Sequence, residues 1–138
     1  MFAVSRLPEV LRRGDDVAPL LADIHGSLDL VGLKIGDAGA HALASALCSN
    51  STITELHLGN NNIGDLGATS LADALRHNNT LSEIYLDSNV IRDEGVSSLV
   101  SAMQKNTTVV DLLLSSNEIS VTGEGCIRAI DAACEVCP

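Results

Sequence analysis

The chain is expected to fold as an α/β array of stacked strand–turn–helix units. Parallel strands would line the concave side of a short right-handed horseshoe, with helices on the convex side. Three observations carry this expectation. The stretch Ile53–Thr80, moved forward by 28 residues, lands on a copy of itself: Ile53, Leu56, Leu58, Asn61, Ile63, Gly67, Leu71 and Leu75 become Leu81, Ile84, Leu86, Asn89, Ile91, Gly95, Leu99 and Met103. A second step reaches Val109, Leu112, Leu114, Asn117, Ile119, Gly123 and Ile127, and a backward step reaches Leu28, Leu30, Ile35, Gly39, Leu43 and Leu47. Within each copy, apolar residues first alternate as in a strand and then recur at helical spacing. A fixed period of this length is the mark of stacked repeats, each burying its neighbour's apolar face.

The elements follow in order. Residues 1–27 stand outside the period. Leu7, Val10 and Leu11, then Val17, Leu20, Leu21 and Ile24, read as two short amphipathic helices separated by Gly14, Asp15 and Asp16. They would form an N-terminal cap over the open apolar edge of the first unit. Four repeats are then expected at 28–52, 53–80, 81–108 and 109–138. In each, residues such as Leu56 and Leu58 point inward from a strand, and Leu71, Ala74 and Leu75 form one helical face. Asp37, Asp65 and Asp93 fall at helix starts, where a carboxylate caps free amides and meets the positive end of the dipole. Gly39, Gly67 and Gly95 leave room for the helix to approach the sheet. Asn61, Asn89 and Asn117 are expected to turn inward as a structural ladder, bonding backbone groups of adjacent turns. Leu33 replaces this asparagine in the first unit, and Val121 replaces the aspartate in the fourth. The last helix, with Cys126, Ile127, Ile130, Cys134 and Cys137 on one face, is expected to act as a C-terminal cap. If it does not, that end offers an edge for self-association.

Composition limits the functional classes. The 138 residues are 46% hydrophobic but 1% aromatic, which suits layered Leu, Ile, Val and Ala and disfavours an aromatic cofactor pocket. The formal net charge is −10. Arg6, Arg12 and Arg13 outweigh Glu9 near the N-terminus, so the repeats are more acidic still and would repel phosphate backbones; no nucleic-acid partner is expected. No apolar run approaches the roughly 20 residues of a membrane-spanning helix, and no leader is evident, so a cytoplasmic location and no membrane partner are expected. Four cysteines, three near the C-terminus, do not form a disulfide framework. Cys134 and Cys137 lack the companion ligands of a zinc site, and His25, His41, His57 and His77 are scattered. No metal, cofactor or catalytic motif is expected.

The registers ITELHLGNNNIGDLG, LSEIYLDSNVIRDEG and VVDLLLSSNEISVTG, with the later glycine and helical leucines, resemble the ribonuclease-inhibitor-like class of leucine-rich repeats over about residues 28–130. That class includes ribonuclease inhibitor, GTPase-activating proteins of nuclear transport, sensor regions of immune receptors and actin pointed-end cappers of the tropomodulin kind. The resemblance implies a fold and a mode of action by surface contact, with no single activity.

A binding surface is therefore sought on the outward strand positions. One column holds Ser27, Glu55, Glu83 and Asp111, the next Asp29, His57, Tyr85 and Leu113, and the third Val31, Gly59, Asp87 and Ser115. With strands about 4.8 Å apart, Glu55, Glu83 and Asp111 should form an acidic stripe beside His57, Tyr85 and Asp87. These six residues are the candidate site for a basic segment of a protein partner. The expected function is a non-enzymatic protein-interaction module. The alternatives are a GTPase-activating regulator using Arg92 in the loop after the third strand, or part of a longer array of the immune-sensor or actin-capping kind. Three Asn-x-Ser/Thr triplets, at Asn50, Asn78 and Asn106, lie one repeat apart and are assigned to the return turn.

Overall fold

In a computed structural model, which describes residues 2–120, the chain runs as helices α1 (Phe2–Arg13) and α2 (Ala18–Leu21), then strand β1 (Gly26–Asp29), α3 (Gly36–Leu47), β2 (Ile53–His57), α4 (Asp65–Leu75), β3 (Glu83–Tyr85), α5 (Asp93–Met103) and β4 (Asp111–Leu113). The strands form one parallel sheet in the order β1-β2-β3-β4. Leu28 pairs with Leu56, Leu56 with Ile84 and Ile84 with Leu112, so the register is the sequence period itself. Backbone pairing continues past the strands, with the amides of Leu30, Leu58 and Leu86 donating to His57, Tyr85 and Leu113 at 2.9, 2.8 and 2.8 Å. β1 starts at Gly26, two residues ahead of the expected repeat boundary, because Gly26 N–H bonds Thr52 O at 2.8 Å. The anticipated C-terminal cap, with Cys126, Cys134 and Cys137, lies outside the described residues.

Helices α3, α4 and α5 pack side by side, and α1 and α2 lie against α3. Leu7 and Leu11 of α1, Leu43 and Leu47 of α3, Leu56 and Leu58, and Leu99 of α5 are all buried in one continuous core. Alanines at the helix interfaces, among them Ala40, Ala68 and Ala72, are fully buried and let the helices come close. Where the first unit has Leu33 in place of an asparagine, Arg12 of α1 donates its Nε hydrogen to Leu33 O at 2.9 Å. The helical segment thus supplies a polar partner to the first turn.

The inward asparagines knit consecutive turns. Asn89 Oδ1 accepts from the amides of Asn61 and Ile63, each at 3.0 Å, while its Nδ2 donates to Leu58 O and Leu86 O, both at 3.0 Å. Asn61 does the same for Leu33 N and Leu30 O, and Asn117 for Ile91 N and Leu86 O. Each thereby satisfies backbone groups of the preceding unit that would otherwise be buried without partners. A second asparagine series, placed by sequence in the return turn, is equally internal. Asn78 is 5% exposed and donates to Leu47 O at 2.7 Å and Asn50 O at 3.0 Å. Asn106 repeats this one unit later toward Leu75 O and Asn78 O.

The aspartates require a correction. Each was expected to cap the helix it begins; instead Asp37 and Asp65 cap the next helix, and Asp93 reaches forward to Ser120. Asp37 Oδ1 accepts from Gly64 N at 2.7 Å and Gly67 N at 2.9 Å, at the start of α4. Asp65 Oδ1 serves Arg92 N and Gly95 N at the start of α5, and Asp93 accepts from the Ser120 amide and hydroxyl. An aspartate at the first helical position cannot fold back onto its own amides, but it faces the neighbouring helix start across the stack. The glycines are corrected with it: the space at Gly67 and Gly95 holds the incoming carboxylate, which a Cβ would meet at 2.7 and 2.6 Å.

The Ser120 bonds hold the Asp93 carboxyl below its ordinary value, the hydroxyl contributing most, the amide next, and desolvation opposing them. A depressed folded-state value means that this contribution is fully present above the unfolded carboxylate range and is lost as pH falls through the folded value. We predict that Ser120→Ala makes stability less sensitive to acidification below about pH 4, read from urea midpoints across an acid series. An unchanged acid dependence would show that the Ser120 hydroxyl has no such role.

Candidate functional site

The strand face presents the six sequence-identified residues in three rows. Glu55 pairs in register with Glu83 and Glu83 with Asp111, and His57 pairs with Tyr85 and Tyr85 with Leu113. Parallel in-register strands leave like charges side by side, an arrangement that costs stability unless something intervenes. Tyr85 intervenes. Its hydroxyl donates to Glu83 Oε2, and Asp111 Oδ2 lies 3.3 Å away on the other side. One phenolic hydrogen thus sits between two carboxylates. The bond to Glu83 is the main reason the Tyr85 phenol is held above its ordinary value, with burial and then the charges of Asp111 and Glu83 adding to it.

The Tyr85 ring stacks on the His57 imidazole, with centroids 4.7 Å apart and planes 24° from parallel. His57 Nε2 lies 3.7 Å from Glu55 Oε2. The structure therefore links Glu55, His57, Tyr85, Glu83 and Asp111 in one chain of contacts. Asp87 stands one row on, its carboxylate over Gly59, where a Cβ would approach both oxygens at 3.1 Å. Leu113 continues the ring row and is 40% exposed. Sequence reasoning placed these residues in columns but missed the stack and the shared hydroxyl. The available signal was the 28-residue spacing of His57 and Tyr85.

Beside the strand face, the turns after each strand share one backbone shape. Gly32, Asn60, Ser88 and Ser116 all adopt left-handed conformations, with φ of 73°, 55°, 56° and 58°. Only Gly32 takes this shape without a steric cost. A shallow groove runs along these turns, lined by Lys34, Gly36, Asn60, Asn62, Ser88 and Val90. Arg92, the alternative catalytic candidate, gives its amide to Asp65 and its Nε hydrogen to Glu118 Oε2 at 2.9 Å in an exposed ion pair. No helix among the described residues is long and apolar enough to cross a membrane.

Leucines paired in register along a parallel sheet, inward asparagines three residues after the buried Leu58, Leu86 and Leu114 and a helix returning each unit define a leucine-rich repeat domain. The chain belongs to the TMOD/LMOD leucine-rich domain family, whose profile matches residues 34–133. Among solved structures it is similar to the one titled leiomodin-1 actin-binding site 2, with a TM-score of 0.72 and 20% identity over 91% of this chain and 70% of that one. It is also similar to the tropomodulin C-terminal domain of Caenorhabditis elegans, with a TM-score of 0.55 and 15% identity over 96% of this chain and 93% of that one. No curated protein matches the chain by sequence.

Proposed function

We propose that this domain is a non-enzymatic, cytoplasmic protein-interaction module whose partner is actin. The observation that carries this is the family match over residues 34–133, joined to a fold likeness with a structure titled as an actin-binding site. The 28-residue unit with a full helix favours repeats of the ribonuclease-inhibitor-like class. In this reading, residues 1–27 cap the first of four repeats, the strand face is the concave surface, and Glu55, His57, Glu83, Tyr85, Asp87 and Asp111 receive a basic segment of the partner.

Area sets a limit on that face. Four strands give a patch on the order of 200 Å², whereas a standard interface takes about 800 Å² from each partner. The turns around Asn60, Asn62 and Ser88 must therefore join the contact. The ion pair of Arg92 with Glu118 favours a surface role over a GTPase-directed arginine.

The test is titration of fluorescent monomeric actin with the purified domain. Saturable binding that weakens with added salt is expected, and Glu83→Lys combined with Asp87→Lys should lower affinity about tenfold. A folded domain that leaves actin unbound overturns the partner. Equal affinity of the double variant overturns the strand face as the contact while leaving the partner standing.

A further inference from the structure

We infer that folding of this chain and N-glycosylation of Asn78 or Asn106 are mutually exclusive, so that the acceptor triplets built into the repeat disable the domain wherever lipid-linked oligosaccharide is transferred to it. The triplets Asn78-Asn79-Thr80 and Asn106-Thr107-Thr108 satisfy the Asn-x-Ser/Thr acceptor rule. Acceptor triplets ordinarily lie on exposed loops. Here the same positions hold the inner fabric of the return turns.

The acceptor atom is the one the fold uses. Asn78 Nδ2 donates one hydrogen to Leu47 O at 2.7 Å and the other to Asn50 O at 3.0 Å, while Oδ1 accepts from the amides of Thr80 and Leu81 at 2.9 and 2.8 Å. Asn106 Nδ2 donates to Leu75 O and Asn78 O at 2.7 and 3.1 Å, and its Oδ1 accepts from Thr108 and Val109. In glycosyl transfer, a bond forms between Nδ2 and the anomeric carbon of the first sugar. The bond from that carbon to the lipid diphosphate breaks, the diphosphate departs with the bonding pair, and one Nδ2 proton is lost. The amide keeps a single hydrogen for the two carbonyls it had bridged. The sugar would have to occupy the space where Asn78, 5% exposed, is packed against the preceding unit.

Two consequences follow. A chain that folds first withdraws the acceptor nitrogen, and a chain glycosylated first cannot seat its return turn. Asn50 is set apart, because its Nδ2 reaches Thr52 Oγ1 at 3.2 Å and makes no comparable bridge to a preceding unit. The inference concerns Asn78 and Asn106, and it is independent of the identity of any partner.

The experiment expresses the full chain in eukaryotic cells with and without a cleavable secretory leader, beside a Thr80→Val, Thr108→Val double variant. That variant removes both acceptor triplets and keeps both asparagines. Peptide mass spectrometry reads occupancy at each asparagine, and thermal unfolding reads the fold. Molecules carrying a glycan on Asn78 or Asn106 are expected to have lost the cooperative transition, and folded molecules to be bare at both. The double variant is expected to melt alike from either route. Glycan on Asn78 or Asn106 in molecules that melt with the bare chain's midpoint would overturn the inference. So would loss of the transition, to the same extent as wild type, by leader-bearing double-variant molecules that mass spectrometry shows bare at Asn50, since the damage would then lie elsewhere.

Discussion

Asn89→Leu is expected to cost about 4 kcal/mol of unfolding free energy, enough to remove much of the stability of a small domain. The side chain is 5% exposed and serves five backbone groups, the amides of Asn61 and Ile63 and the carbonyls of Leu58, Leu86 and Asp87. Leucine fills a similar volume but orphans the amides of Asn61 and Ile63 and the carbonyl of Leu58, whereas Leu86 O keeps Asn117 Nδ2 and Asp87 O keeps the Asn60 amide, and each orphan costs roughly 1–3 kcal/mol before relaxation. Urea unfolding followed by circular dichroism gives the number. Asn79→Ala is the control, because Asn79 is exposed and its change should stay within about 0.5 kcal/mol. Comparable losses at the two positions would remove the special role of the inward asparagine.

Gly95→Ala is the second large effect, at about 3 kcal/mol. An added methyl would lie 2.6 Å from Asp65 Oδ1, 2.8 Å from Ile91 Cγ2 and 3.0 Å from Ala68 Cβ. Alanine is the better helix former by about 1 kcal/mol, so the clash must outweigh that gain. The distinctive expectation is coupling. Asp65→Ala alone removes the cap on α5 and costs about 1 kcal/mol. Placed in the Gly95→Ala background it should cost much less, because the methyl has already displaced the carboxylate. Additive losses in this cycle would mean that Gly95 is needed for helix packing and not for admitting Asp65.

What was legible in the sequence was whatever depends on a column of like residues. Leu28, Leu56, Ile84 and Leu112 occupy one column, and the strand register repeats it. The same column places Glu55, Glu83 and Asp111 side by side, as the strand register does. A column gives a residue's address within its own unit, however, and does not say which copy the side chain faces. That is why Asp65 was assigned to the helix it begins, when its carboxylate reaches the amides of Arg92 and Gly95. Asn78 was read as turn polarity because an asparagine in a loop and an asparagine sewn into the layer beneath it look alike in one dimension. The Tyr85 hydroxyl between Glu83 and Asp111 was beyond reach for a different reason: the third unit alone has tyrosine there, so no repetition flagged it.

The forward reach of Asp37, Asp65 and Asp93 means that the cassette completing a helix does not coincide with the 28-residue period. Helices α4 and α5 are each finished by a side chain encoded in the unit upstream. A unit excised at its strand start would carry away its neighbour's cap and arrive in a new context without one of its own.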